Sequence, residues 1–247
     1  MAAPREDPAP ALSRLEALRE DLAGSAMFLG NDEGQLLAAS LGLTLDVHIP
    51  IGERKDGEGR VVVGARSRFG APGPPAARRD GLILLSMGRH YTVLRPASPA
   101  EKGSFVLEDG TPYQEVTQTV ATPGGGLRQA PMIPSDGHCL IGALHYLHFG
   151  SPASADQVGA HRRLVASRMS VEALNTLATE LINEVLAGVY LVLPNGCFPT
   201  LGPAFSRSLQ ADAGFMEAYN RTVDLQQKDQ MAFFGQAEPP EAGEPGR

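Results

Sequence analysis

The chain has 247 residues, 43% of them hydrophobic, a formal charge of −7 and two cysteines. That apolar fraction suffices for a real core, and an acidic chain with scattered Lys and Arg argues against nucleic acid as the main partner and for a basic one. No apolar run reaches bilayer-spanning length, and M-A-A-P-R-E-D-P-A-P lacks the apolar segment of a signal peptide. The two Cys are too far apart for a Cys-x-x-Cys zinc cluster or a disulfide framework, so the expectation is a reducing, cytoplasmic setting without a membrane.

Residues 1–10 and 237–247 are Pro-rich, charged and nearly free of large apolar groups, which predicts disordered tails around a single domain over 12–236. Ser13 with Glu16 forms a capping-box pattern ahead of Leu15, Leu18 and Leu22, and a second helix is expected from Asp32 to Leu41 with Gly42 ending it. Leu43, Leu45, Val47 and Ile49 alternate with polar residues as in a half-buried strand, and a polar turn over 50–60 leads into Val61–Val63. Residues 66–80, rich in Arg, Pro and Gly, are expected to loop over the surface. Leu82–Leu85 and His90–Leu94 read as two strands joined by a tight turn at Gly88. Over 96–130, Phe105–Leu107 and Tyr113–Val120 can form a hairpin, and T-P-G-G-G reads as a flexible connector.

The second half is helical. The turn Pro134-Ser135-Asp136-Gly137 runs into Leu140, Ile141, Ala143, Leu144 and Leu147, which places Cys139 in the first turn of a helix. Ser154 with Gln157 opens another helix, a long one follows over 170–187, Tyr190–Leu193 can be a short strand, and Phe215, Met216 and Tyr219 suggest a last helix. Strands first and helices later predict an α+β domain with a modest sheet packed between helices.

At a helix start, unpaired N–H groups and the positive end of the dipole favour a thiolate and can receive an oxyanion. A small buried apolar cysteine fits the stretch equally well. A cysteine hydrolase also needs a histidine and a residue to orient it. His90, opening a strand after a tight turn, is the best base, because His145 and His148 lie along the helix that Cys139 starts. His138, His145 and His148 with Cys139 give no complete ligand spacing, so no metal and no cofactor is expected. Cys197 is read as structural. The 122–126 glycines lack the Lys-Ser/Thr of a phosphate loop.

D-G-H-C-L-I-G-A-L, from Asp136 to Leu144, resembles the nucleophile motif D-G-x-C-L-F-x-A-L of the ovarian-tumour (OTU) cysteine deubiquitinases, and A-H-R-R-L-V-A-S-R-M resembles that family's next helix. G-N-D-E-G-Q-L-L-A-A-S-L-G-L-T-L-D-V and L-I-L-L-S-M-G-R-H-Y-T-V-L resemble its glycine-led helix and strand and its catalytic His-Tyr strand pair. In that family the Cys motif precedes the His strand. Here His90 comes first, so the likeness, over 13–95 and 131–235, is to a circularly permuted OTU domain of papain-like fold with 96–130 as connector.

The resemblance implies Cys139 as nucleophile and His90 as base, with Asp136 first and Thr92 second as candidates for the orienting residue. It implies an oxyanion hole from backbone N–H groups of Gly137, His138 and Cys139. The implied activity is hydrolysis of isopeptide or peptide bonds at the C-terminal glycine of ubiquitin, polyubiquitin or a ubiquitin-like modifier by a monomer, with host-directed delivery by a microbe or virus as one setting. Asp32 and Glu33 are candidates for an acidic cleft wall, or equally for N-terminal dipole partners. A ubiquitin-binding pseudo-enzyme and a papain-like peptidase or acyltransferase with another substrate are the alternatives.

Overall fold

The structure, a computed structural model, describes residues 8–24, 27, 29–70, 81–88, 90–188, 196–198 and 201–235. It is mixed α+β, and its contacts divide the chain expected to form one domain into two units, Met1–Leu18 with Ser170–Arg247, and Arg19–Met169.

The unit formed by Arg19–Met169 holds every strand among the described residues. The strands are β1 (Thr44–Lys55), β2 (Val61–Gly70), β3 (Ile83–Met87), β4 (His90–Pro96), β5 (Phe105–Leu107), β6 (Pro112–Glu115), β7 (Thr117–Ala121) and β8 (Leu127–Pro131). The first six close into a ring in the order β1-β2-β5-β6-β4-β3, so the modest sheet of the sequence reading is a small closed barrel. Closure needs two parallel junctions, β1 with β3 and β2 with β5; all other neighbours are antiparallel. Val63, Ile83, Leu85, Leu94 and Tyr113 fill the ring, with Val61, Phe105 and Leu107 packed against them. Fully burying such side chains stabilises by about 1.5–3 kcal/mol each.

Three expectations change here. Residues 50–55 continue β1 and only 56–60 turn, while 66–70 belong to β2, the remainder of the predicted 66–80 loop lying outside the described residues. Segment 96–130 is built into the fold: β5 and β6 complete the ring, and β7 and β8 pair as a separate hairpin whose turn is the glycine run read as a flexible connector.

Helices α2 (Asn31–Ser40), α3 (Cys139–Phe149) and α4 (Ala155–Arg168) pack on one another and on strands β2, β3 and β4. The capping box of α4 is present, Ser154 Oγ accepting from the Gln157 N–H at 3.3 Å and Gln157 Oε1 from the Ser154 N–H at 2.8 Å. In α2 the reciprocal half is made by Glu33, whose Oε2 accepts the Gly30 N–H at 2.8 Å. Gly34 lets this helix approach: a Cβ there would stand 2.6 Å from the Phe69 ring and 3.1 Å from Leu140.

In the other unit, α5 (Val171–Gly188) and α6 (Pro203–Gln210) pack on α7 (Ala213–Gly235). Phe198 meets Phe215 and Tyr219 edge-on at centroid distances of 5.8 and 5.3 Å. Helix α1 (Pro8–Ala23) contributes Arg14, paired with Asp212 at 2.7 Å. It begins inside the predicted tail, so Ser13 lies within the helix and is not its cap. Helix α6 was not foreseen, and the predicted strand Tyr190–Leu193, the tail 237–247 and residues 1–7 lie outside the described residues.

Candidate active site

Strand β4 carries half of the site. Strand β6 pairs with it only from Leu94 onward, leaving the His90 end of that edge without a strand partner. Cys139 fills the gap: its Sγ accepts the Tyr91 N–H at 3.4 Å, joining positions 48 apart in sequence. A second bridge runs from the loop before α3, where Ser135 Oγ meets His90 Nδ1 at 3.2 Å. The two motifs singled out from sequence therefore meet, with the Tyr91 amide next to His90 in the chain and against the sulfur.

The turn that delivers Cys139 depends on Gly137, whose φ of +82° is a left-handed conformation that side chains disfavour. Asp136 Oδ1 accepts the His138 N–H at 2.9 Å, closing an Asx turn. Cys139 then opens α3 and is only 2% exposed. Burial pushes its thiol above the ordinary value, the N–H groups of Tyr91 and Leu140 pull the other way, and the charge of Asp136 adds to the rise.

Among the described residues, the bonds of the predicted orienting residues go elsewhere. Asp136 serves the turn. Thr92, fully buried, donates from Oγ1 to Glu115 Oε1 at 2.7 Å. The residue on the His90 ring is Ser135, four positions before Cys139. Of the three expected oxyanion donors, the His138 amide is taken by Asp136, while the Cys139 amide lies near its own sulfur. The phenol of Tyr91 donates to Asn31 Oδ1 at 2.8 Å, tying β4 to the start of α2.

Arg162 of α4, 1% exposed, supports the loop from behind. Its Nη1 donates to the Leu22 carbonyl at 3.3 Å, and its Nη2 to the carbonyls of Met27 at 2.7 Å and Gly137 at 3.3 Å. Glu33, 5% exposed, is held above the ordinary carboxyl value by burial, against its N–H partners, so it belongs to the helix start and not to an exposed acidic wall; Asp32 is exposed.

Of the remaining histidines, His145 Nδ1 meets His161 Nε2 at 3.0 Å, and among the described residues no group of three or more His, Cys, Asp or Glu is placed to hold a metal ion. Cys197 is partly buried in the other unit. No described helix is long and apolar enough to cross a membrane. Compared with protein-family models, curated proteins and solved structures, the chain matches none.

Proposed function

We propose that the chain is a thiol hydrolase with Cys139 as nucleophile and His90 as general base, and that its substrate is an isopeptide or peptide bond at the C-terminal glycine of ubiquitin or a ubiquitin-like modifier. The observation that carries the chemistry is the 3.4 Å contact of the Cys139 sulfur with the amide that follows His90. The substrate rests on the likeness of the Asp136–Leu144 and His90–Leu94 stretches to the OTU enzymes, and so does the reading of the domain as a permuted papain-like fold.

In this mechanism the sulfur turns out of its buried position and gives its proton to His90 as it attacks the carbonyl carbon. The imidazolium returns that proton to the leaving amine, and a water deprotonated by His90 then cleaves the thioester. Ser135, on Nδ1, leaves Nε2 as the nitrogen for transfer. Burial of the thiol and its raised pKa favour one competing reading, a protein that binds the modifier without cleaving it.

Incubation with ubiquitin bearing a C-terminal electrophile separates the readings. A covalent adduct on wild type and none on Cys139→Ala is the expected outcome. Binding without an adduct supports the non-cleaving reading, and neither binding nor adduct overturns both.

A further inference from the structure

The side chain of His138 has no part in the mechanism above, yet it is held more firmly than the proposed base. Arg162 Nε and Nη2 lie 3.2 and 3.1 Å from its Nδ1. A guanidinium has only N–H groups to offer, so Nδ1 must present its lone pair and the ring proton must sit on Nε2. Adding a second proton would set an N–H against two donors of a cation. Burial, together with the Arg162 charge, accordingly holds this imidazole below its ordinary value, against a smaller upward pull from Asp136. The charged groups facing it are Arg162 from α4 and Asp136 from its own loop; Glu33 of α2 acts on Arg162.

His138 also lines a cavity of about 540 Å³. The facing wall is small and apolar, with Ala153, Ala155, Val158 and Gly159 at the start of α4, and the other polar groups on it are Asp136 and Arg162. Arg162 is spent on three carbonyls and on Nδ1. Among the side chains on the cavity, a donor, the His138 Nε2–H, and an acceptor, the lone pairs of Asp136, remain for an occupant. A peptide unit offers the matching pair, and small walls admit a chain with little side chain.

We infer that Arg162 locks His138 in its neutral Nε2–H form as a hydrogen-bond donor to a backbone carbonyl of an extended peptide laid along the Ala153–Gly159 wall, beside the bond that Cys139 attacks. The position of that peptide relative to the reaction rests on Cys139 being the nucleophile. The lock and the binding stand on the cavity alone, with Arg162 as a positioning residue.

Nitrogen NMR of the wild-type imidazole rings tests the lock. His138 is expected to show a proton on Nε2 and a bare Nδ1, unchanged as pH falls through about 6, where an ordinary histidine takes up its second proton. A proton on Nδ1, or a cation in that range, overturns the inference. In Arg162→Gln the ring is expected to take up its second proton at higher pH than in wild type, burial still holding it below the ordinary value, and if that variant does not fold the wild-type spectrum decides. Acetyl-triglycine amide added to wild type should move the His138 Nε2–H resonance together with the Ala155 and Gly159 amides; no movement at millimolar peptide overturns the binding. With a ubiquitin C-terminal amide as substrate, His138→Phe should lower kcat/KM about tenfold while leaving alkylation of Cys139 by iodoacetamide unchanged, and an unchanged kcat/KM overturns the role in turnover. Should wild type form no ubiquitin adduct, the proposed function fails by itself, and the two NMR measurements still decide this inference.

Discussion

The Ser135 hydroxyl on His90 Nδ1, at 3.2 Å, makes the loop before Cys139 also a support of the His90 ring. One backbone turn sets both halves of the site, so a change in that loop reaches His90 as well as Cys139.

Substitutions separate the two residues that the OTU likeness offered from the one the geometry offers. Ser135→Ala should reduce kcat/KM on a ubiquitin amide about three- to tenfold, because the ring loses one hydrogen bond worth about 0.5–1.5 kcal/mol. Asp136→Asn keeps an oxygen for the His138 N–H and should stay within about threefold of wild type. A true triad aspartate would lose about 10⁴-fold on that change.

Thr92 makes a different prediction. Its hydroxyl bonds Glu115 inside the fold, so Thr92→Val should cost about 1–3 kcal/mol in urea unfolding, the penalty of a carboxylate deprived of its donor, and Thr92→Ser should recover most of it. If kcat/KM falls with Thr92→Val far more than about threefold while stability holds, Thr92 orients the base after all.

Gly34 tests how α2 is seated. Its added methyl would meet the Phe69 ring at 2.6 Å, too close without movement of a buried side chain, so Gly34→Ala should destabilise by about 1–3 kcal/mol despite alanine's better helix propensity. Because Asn31 on the same helix holds the Tyr91 phenol, thermal unfolding and Cys139 alkylation should change together. A stabilised Gly34→Ala would contradict the close approach.

The thiol gives a pH dependence. Burial raises its pKa in the folded state, so the unfolded chain loses this proton first. The resulting contribution to stability is complete below the ordinary thiol value of about 8.5 and is lost as pH rises from there through the raised value of the folded state. Unfolding free energies of wild type and Cys139→Ala, measured between pH 7 and about 10, should diverge, wild type falling more steeply. Parallel curves would refute the shift. Iodoacetamide should likewise alkylate Cys139 with a midpoint above that of a free thiol.

What could be read from the chain alone follows where a single pattern fixed a single outcome. Alternation from Leu43 and the apolar runs at Leu82 and His90 located β1, β3 and β4, and the Ser154–Gln157 box located α4. Ring closure was not legible, because parallel pairing of β1 with β3 and β2 with β5 leaves no local mark. The segment 96–131 looked like a connector since β5 to β8 are three to five residues long, too short for periodicity to register. In the candidate site, the places of Cys139 at a helix start and His90 at a strand start were legible from the turns before them. Ser135 was hidden inside a turn signal where Asp136 had the stronger chemistry. Arg162 did leave a trace: it lies at helical spacing with Val158 and Val165, a cation on an apolar stripe, and Arg162, Val165 and Ala166 are the buried residues of α4.

Strands β5 and β6 give the segment 96–130 a duty that a spacer between joined ends does not have. A chain recut so that residue 131 leads and residue 95 ends, with that segment discarded, would put the two motifs in the order of the OTU enzymes they resemble but strip β2 and β4 of a neighbour each, opening two edges to pairing with other molecules. The order of the motifs in this chain is tied to its barrel, and reversing it requires carrying β5 and β6 along.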